Sequence, residues 1–251
     1  MVAEVGGRHD AGRLLEGSGA DHETVTPRAA MEEYLHDQLP GAVAELLSRS
    51  GTFAAFVEAT PGMNELLSIG KVWELTGSRR RSEDAVRYDL VILDAPASGH
   101  GLALLGAPRT FSDAARVGPI HRQAGQIHAT LSDPGQTAVV AVALAEEMPV
   151  NETLELRAAL GERMGIELEA VVVNGVVPDR LTAAEAQRLE SLDQPAGSPV
   201  AAALWGHERA QAQKRQLRRL RGGLDAAPLH LPFFFGPPDL GAISGELEAL
   251  L

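Results

Sequence analysis

The chain has 251 residues, of which 45% are hydrophobic and only 4% aromatic, and its formal net charge is −12. This length suits one large α/β domain or two small ones, and the acidic balance argues against an overall nucleic-acid-binding surface. Cysteine is absent, which excludes disulfides and thiolate metal sites. No stretch resembles a signal peptide or approaches the ~20 apolar residues that span a bilayer, so we expect a soluble, cytoplasmic protein.

Apolar periodicity predicts alternating strands and helices along the chain. We expect strands over 2–5, 89–94, 137–144, 169–173 and 229–232. We expect helices over 10–16, 110–132, 149–163, 181–192, 200–220 and 240–251, and a helical segment over about 27–76 that breaks at Pro40-Gly41 and turns at Thr60-Pro61-Gly62. Because the strands read as continuous Val/Ile/Leu runs, we predict a single α/β domain over 1–251, with a mostly parallel sheet covered by helices on both faces.

The stretch richest in chemistry is Tyr88–His100. An apolar strand, Leu90–Leu93, carries Asp94 at its carboxyl end, and a loop follows at once. In open parallel sheets ligands bind at the carboxyl ends of strands, and Mg²⁺ prefers one or two carboxylates plus waters. Asp94 is therefore predicted to bind Mg²⁺, and the loop is predicted to act as a nucleotide switch formed by Pro96, Ser98, Gly99 and His100. Asp94 as a turn former and His100 as a surface residue remain open alternatives.

A second candidate site follows a later strand. Asn174 ends the predicted strand over 169–173, and its amide can donate and accept hydrogen bonds at once, which suits an adenine edge. Pro232 ends the last predicted strand and Phe233 follows it, and both would flank the base. Asn before Gly is also common in turns, and plain packing is the expected role of two of the three phenylalanines at 233–235.

Other groups favour simpler roles. His121 and His128 share a predicted helix face, but a metal site would need further ligands, so a solvated or packing role is favoured. The basic run over 209–221 can contact an acidic partner or nucleic acid, although a solvated helix face is the stronger interpretation. The apolar helices over 31–75 either form core or line a groove for a client. If the chain hydrolyses a nucleotide, one residue must polarise the attacking water. The candidates are Glu4 and Asp10, and the sequence does not choose between them.

Five blocks, in this order, resemble the arsenical pump-driving and tail-anchored-protein-targeting ATPases, a family of deviant-Walker P-loop ATPases. The first, at 94–100, is similar to the family's Asp-Thr-Ala-Pro-Thr-Gly-His switch but lacks one residue between Asp and Ala. The other blocks are Leu104–Pro108, Glu146–Thr153, Val171–Asn174 and Leu231-Pro232.

This resemblance implies a P-loop NTPase-like fold that uses ATP and Mg²⁺ to drive anion transport or the targeting of membrane-protein tails. It also implies that Asn174 recognises adenine and that the loop beginning at Pro232 packs on the base. Members of the family work as dimers or pseudo-dimers. We therefore expect a homodimer, or a heterodimer with a related ATPase subunit, and a membrane-protein or transporter partner, with no nucleic acid. Because cysteine is absent, thiolate binding of arsenite is excluded.

One departure from the family is large. The phosphate loop, Gly-Lys-Gly-Gly-x-Gly-Lys-Thr/Ser, is absent, and the segment Gly6-Gly7-Arg8-His9 lacks both lysine and the required spacing. The strand Val2–Val5 instead resembles the family's second strand, so we expect an N-terminally shortened or degenerate member whose first strand and phosphate loop lie upstream of Met1. The alternatives are a non-catalytic regulatory or scaffold subunit that pairs with an intact ATPase, and a sequence artefact without independent function.

Overall fold

The computed structural model describes residues 1–6, 10–77, 86–192, 197–236, 238 and 240–250. The chain divides into two compact units, Met1–Thr137 (unit 1) and Ala138–Leu251 (unit 2). Each unit contains helices and one three-stranded sheet in which all pairing is parallel, so the predicted α/β class is confirmed. A single ATPase-like domain over 1–251 stays a prediction. Most of the loop predicted between the helical segment and the strand at 89–94 lies outside the described residues.

Unit 1 is a small parallel sheet with helices packed on it. Its elements are β1 (Val2–Val5), α1 (Asp10–Leu14), β2 (His22–Val25), α2 (Pro27–Gln38), α3 (Gly41–Ser48), α4 (Gly51–Ala59), α5 (Met63–Thr76), β3 (Ile92–Asp94), α6 (Ser98–Ala115) and α7 (Pro119–Leu131). The strand order is β2-β1-β3. The main core cluster joins the sheet to α5, α6 and α7 through Ala3, Val25, Ile69, Val72, Leu75, Leu104 and Ile127.

The helical segment of unit 1 breaks where its prolines require. Thr26 caps α2, and its Oγ1 accepts a hydrogen bond of 3.3 Å from the N–H of Ala29. Pro27 occupies the first turn, where a missing N–H costs nothing. The predicted break at Pro40 separates α2 from α3, and the predicted turn at 60–62 separates α4 from α5, so both predictions are confirmed.

Unit 2 has the same strand–helix alternation. Its elements are β4 (Val139–Leu144), α8 (Glu147–Met164), β5 (Leu168–Val176), α9 (Ala183–Glu190), α10 (Pro199–Gly222), β6 (Leu229–Pro232) and α11 (Leu240–Glu248). The strand order is β4-β5-β6. Its core cluster packs α8 and α10 on the sheet through Ala141, Ala145, Val150, Val171, Val173 and Leu220. No described helix in either unit is long and apolar enough to cross a membrane.

The sequence-based prediction for unit 1 missed one strand and one helix break. It missed β2, because the residues His-Glu-Thr-Val over 22–25 contain no apolar run. It also predicted one helix over 110–132, whereas α6 ends at Ala115 and α7 begins at Pro119. The break lies at Gly118, whose φ of 101° no helix can continue.

Burial on both faces, predicted for all strands, holds only in the central strand of each sheet. In β1 the consecutive residues Ala3 and Glu4 are both buried. Residues 171–173 of β5 are buried, whereas Ile92 on β3 is 52% exposed and Val142 on β4 is 71% exposed. The predicted buried run Leu90–Leu93 is thus wrong, since Leu90 is 66% exposed and lies outside the strand. Among the described strands, β3 pairs only with β1 and β4 only with β5, so each is an edge strand of its sheet.

Candidate functional site

Two carboxylates lie at the carboxyl ends of neighbouring strands in unit 1. Asp94 is the exposed last residue of β3, and its register partner on β1 is Glu4. Glu4 is only 4% exposed, and its Oε2 lies 3.0 Å from Nε2 of His22, the first residue of β2. The prediction that Asp94 ends a strand is confirmed, whereas its role as a Mg²⁺ ligand stays a prediction.

The segment after Asp94 is shorter than the predicted switch loop. Helix α6 begins at Ser98, so Ser98, Gly99 and His100 form its first turn and only the preceding three residues, Pro96 among them, are irregular. The prediction of a loop through His100 is therefore wrong for Ser98, Gly99 and His100, which are helical. Gly99 has no positive φ, so its backbone conformation does not require glycine.

A close backbone contact constrains this turn. A Cβ added to Gly101 would come within 2.9 Å of the carbonyl oxygen of Pro96, whereas a Cβ on Gly99 would meet nothing within 4 Å. The N–H groups of His100 and Gly101 both donate to the carbonyl oxygen of Ala97, at 3.0 and 3.2 Å. Gly101 is therefore the glycine that the local packing requires.

The surroundings of Asp94 suit a hydrated magnesium ion. Mg²⁺ commonly takes one or two carboxylates and completes its shell with water and phosphate oxygens. A single exposed carboxylate matches this habit. Within the described ranges, no group of three or more His, Cys, Asp or Glu side chains is arranged to hold a metal ion. The residues therefore fit Mg²⁺ that arrives with a phosphate ligand, and do not fit a metal held by protein alone.

Neither of the two lysines of the chain is placed to bind a triphosphate. Lys214 Nζ lies 2.6 Å from Oδ2 of Asp179. Lys71 Nζ forms ion pairs at 2.7 Å with Glu33, 3.2 Å with Glu74 and 3.4 Å with Glu23. Burial alone would lower the pKa of Lys71, but hydrogen bonds to Glu33 and Glu74 outweigh burial and raise the pKa. Both ammonium groups are thus committed to carboxylates, and the sequence contains no Gly-x-x-x-x-Gly-Lys-Ser/Thr loop.

Unit 2 brings the predicted base-binding residues to one edge of its sheet. Asn174 lies exposed near the carboxyl end of β5, which pairs in parallel with β6 so that Val176 lies opposite Pro232. The N–H of Phe233 then donates to the carbonyl oxygen of Val176 at 2.9 Å. Asn174, Pro232 and Phe233 therefore share this edge, while base binding by them stays a prediction.

Aromatic rings border the same edge. Gly175 has a left-handed φ of +69°, and the ring of Phe233 lies 3.9 Å from where a Cβ on Gly175 would be. Phe233 and Phe235 meet edge to face with ring centroids 5.3 Å apart, and the guanidinium of Arg180 lies 5.6 Å from the Phe235 centroid. Packing was the expected role of two of the three phenylalanines, yet Phe233 and Phe235 are 38% and 76% exposed. Both rings therefore keep surface that a ligand can contact.

A buried amide on α10 holds the segment that follows Asn174. Gln213 is 4% exposed; its Oε1 accepts from the N–H of Val177 at 2.8 Å, and its Nε2 donates to the carbonyl oxygen of Gly175 at 3.0 Å. A buried polar group left unpaired costs about 1–3 kcal/mol. Gln213 satisfies two backbone groups where the pairing of β5 with β6 is irregular. It therefore fixes the backbone that presents Asn174.

A carboxylate beyond β5 makes a second link to α10. Oδ1 of Asp179 lies 2.9 Å from Nδ1 of His207, and its Oδ2 lies 2.8 Å from Nε2 of Gln211 and 2.6 Å from Nζ of Lys214. Hydrogen bonds from Lys214 and His207 lower the pKa of Asp179 from 3.8 to about 2. The ionised carboxylate therefore ties the loop after β5 to three successive turns of α10.

The sequence analysis missed both Gln213 and Asp179. A signal for Gln213 existed, because it lies on the same helix face as Ala210 and Leu220, where an apolar residue is expected. A polar residue in such a place indicates a buried hydrogen-bond partner. No such signal marks Asp179, because its partners lie on a helix far along the chain.

The two histidines that share a helix face do not form a metal pair. Nδ1 of His121 lies 2.8 Å from the carbonyl oxygen of Ser112, and Nδ1 of His128 lies 3.3 Å from Oγ of Ser132. Each ring is engaged locally, which agrees with the packing role that the sequence favoured.

Comparison with known families adds an independent observation. The family model described as anion-transporting ATPase matches residues 23–124 and 116–194. The matched ranges include Asp94, the turn that follows it and Asn174. They do not reach Pro232 and Phe233, whose place at the site depends on the pairing of β5 with β6.

Known relatives are similar over part of their own length. The chain is 31% identical to ATPase BagA of Mycobacterium tuberculosis over 141 residues, which are 56% of this chain and 41% of the relative. It is 30% identical to an arsenical pump-driving ATPase of Acidiphilium multivorum over 169 residues (62% and 26%) and 29% identical to one of Escherichia coli over 236 residues (84% and 35%). The chain spans less than half the length of each of these relatives.

We predict that Gly101→Ala destabilises the protein by about 1–3 kcal/mol, because its Cβ would press on the Pro96 carbonyl oxygen. The matched change Gly99→Ala, in the same helical turn, should be neutral or stabilise by up to about 1 kcal/mol, because the space is open and alanine favours helix. Urea denaturation measures both free energies of unfolding. Equal effects of the two substitutions would contradict this assignment.

We also predict a specific acid sensitivity from Asp179. Because folding lowers its pKa to about 2, the ionised carboxylate stabilises the fold above about pH 4, and this contribution is lost as the pH falls toward 2. Asp179→Asn removes the contribution, so the gap in unfolding free energy between the native protein and this variant should narrow over that range. Urea denaturation at a series of pH values measures the gap, and a gap that does not change with pH would show that ionisation of Asp179 contributes nothing to stability.

Proposed function

Since this chain belongs to the anion-transporting ATPase family, we propose that it recognises an adenine nucleotide and couples nucleotide state to the conformation of the segment Asp94–His100. The observation that carries the proposal is the meeting of Asn174 with Pro232 and Phe233 at one sheet edge, above a backbone that Gln213 holds in place.

The adenine would be recognised in unit 2. Asn174 offers an amide oxygen and an amide N–H to the edge of the base, and the exposed ring of Phe233 offers a stacking face. Pro232 flanks the same edge. Because Gln213 satisfies the backbone on both sides of Val176, Asn174 starts from a fixed position and loses little conformational freedom on binding.

Unit 1, taken by itself, offers a carboxylate and a helix N-terminus that would bind Mg²⁺ and a phosphate. Asp94 would hold a hydrated Mg²⁺, which bridges phosphate oxygens and neutralises charge when the nucleotide is bound. No side chain accepts a hydrogen bond at the N-cap of helix α6. The first N–H groups of this helix would therefore donate to a phosphate bound near the turn at Pro96. Binding there would order the turn, and hydrolysis would release it.

The phosphate cradle is the part that these 251 residues do not supply. No phosphate-loop motif occurs in them, and both lysines are paired with carboxylates. We propose that another polypeptide segment provides the loop. In a shortened member this segment is encoded upstream, and a homodimer would then carry it in each copy; in a degenerate member a related ATPase subunit provides it in a heterodimer. The assembly would then drive a membrane-protein or transporter partner.

The absence of a phosphate-loop motif also supports a second candidate function, a regulatory or scaffold subunit that binds an intact ATPase without hydrolysing ATP. Translation of the genomic DNA upstream of the Met1 codon distinguishes the two. An in-frame Gly-Lys-Gly-Gly-x-Gly-Lys-Thr motif would support the shortened ATPase, and a stop codon in its place would favour the regulatory subunit.

Calorimetry on the purified chain tests nucleotide recognition directly. We expect ATP to bind more tightly than GTP, and Asn174→Ala to weaken ATP binding by about tenfold, or ~1.4 kcal/mol, because the base loses its paired hydrogen bonds. Asn64→Ala on α5 is the control and should leave ATP affinity unchanged. If the native chain binds no ATP, nucleotide recognition by these 251 residues on their own is wrong.

Asp94→Asn tests the metal. It should abolish the effect of Mg²⁺ on nucleotide affinity, because a neutral amide is a poor ligand for this hard cation. The control Asp113→Asn makes the same change at another exposed aspartate, on α6, and should preserve the Mg²⁺ effect. Titrations with and without Mg²⁺ measure the difference, and an unaltered Mg²⁺ effect in Asp94→Asn would remove Asp94 from this role.

A further inference from the structure

Four arginines on the last turns of α10 form a strongly basic surface. Arg215, Arg218, Arg219 and Arg221 are all exposed, and we call them the arginine face. Within the part of the chain that the structure describes, none of the four makes an ion pair. This is unusual in a chain whose net charge is −12.

Other cations of unit 2 do have acidic partners. Described ion pairs join Arg157 to Asp225, Arg209 to Glu146 at 3.3 Å and Lys214 to Asp179 at 2.6 Å. Lys214 lies next to Arg215 on α10, so the ion-pairing pattern changes within one helical turn. The arginine face is therefore a local exception and does not reflect a shortage of acidic residues.

Helix stability does not account for this charge. Arg215 lies three residues before Arg218 and four before Arg219, and like charges at these spacings repel one another and destabilise the helix. The negative helix terminus favours basic residues only in the last turn, which here contains Arg219 and Arg221. Arg215 and Arg218 gain nothing from it.

An open recess of about 290 Å³ adjoins the arginine face. No acidic residue lines the recess. Its apolar lining consists of Leu217, Ala227 and Pro228, and its basic lining of Arg218, Arg221 and His230. Arg218 is held close to the helix, since its Nε donates to the carbonyl oxygen of Lys214 at 3.3 Å. The terminal nitrogens of the guanidinium remain to meet a ligand.

These features favour one class of partner. Guanidinium groups match carboxylates in paired, planar geometry, and an apolar recess accepts a side chain such as leucine. Single-stranded nucleic acid is bound largely by stacking on aromatic side chains, and no Phe, Tyr or Trp lines the recess. A bilayer is bound by apolar side chains that project outward, whereas the apolar residues here line a hollow.

We propose that the arginine face and its recess dock an acidic segment of a partner protein, with carboxylates on the arginines and one apolar side chain in the recess. The overall negative charge of the chain repels acidic partners elsewhere, so the patch also orients the approach. This proposal is independent of nucleotide binding.

Fluorescence anisotropy with a labelled peptide of repeating Glu-Glu-Leu units tests the docking on the full chain. We expect binding that weakens as salt is raised. The double variant Arg218→Glu with Arg221→Glu should weaken binding by at least about tenfold, because attraction becomes repulsion. Arg188→Glu, a single charge reversal of the same kind on α9 of the same unit, is the control and should have little effect.

Two further peptides test each half of the site. A Gln-Gln-Leu peptide removes the charge, a Glu-Glu-Ser peptide removes the apolar anchor, and both should bind less tightly. Circular dichroism and the variant pair Arg218→Gln with Arg221→Gln guard against a folding defect. Unchanged peptide binding in both arginine variants would overturn the proposal. Tighter binding of single-stranded RNA or of phosphatidylserine vesicles, lost in the same variants, would overturn it in favour of those ligands.

Discussion

Parallel strand pairing is the constraint on which the functional geometry of this chain depends. Parallel strands carry their carboxyl ends to the same edge of a sheet, so residues far apart in sequence become neighbours there. In unit 1 this pairing sets Asp94 in register with Glu4, and in unit 2 it carries Asn174 to the edge where Pro232 ends β6 and Phe233 follows. No local signal in any one strand could produce these neighbours.

Helix α10 shows how one element serves two purposes through its two faces. Its inward face carries Gln213, which satisfies buried backbone at the end of β5, and nearby side chains that hold Asp179. The cost of an unpaired buried polar group makes these contacts stringent. Its outward face near the C-terminus carries arginines that no described acid neutralises. The inward contacts rigidify unit 2, and the outward charges are left for a partner.

The residues suited to a base, to Mg²⁺ and to phosphates are distributed unequally along the chain. Residues suited to a base have an ordered support in unit 2, and a carboxylate suited to hydrated Mg²⁺ ends a strand in unit 1. Positive charge for phosphates is different: both lysines are ion-paired, and the main group of unpaired arginines lies on α10. Phosphate binding in this family depends on backbone N–H groups and lysine acting together. An ATPase built with this chain therefore requires that combination from elsewhere.

The sequence by itself determined the local features. Continuous Val and Ile runs indicated parallel α/β structure, Pro40 marked a helix boundary, and ordered motifs around Asp94 and Asn174 indicated the family, because each signal depends on residues close together in the chain. Only the tertiary structure decided which strands are edges, that His22 pairs with Glu4, and that Gln213 holds the backbone beyond Asn174. Those outcomes depend on burial and on partners distant in sequence. Neither can be predicted from the residues adjacent in the chain.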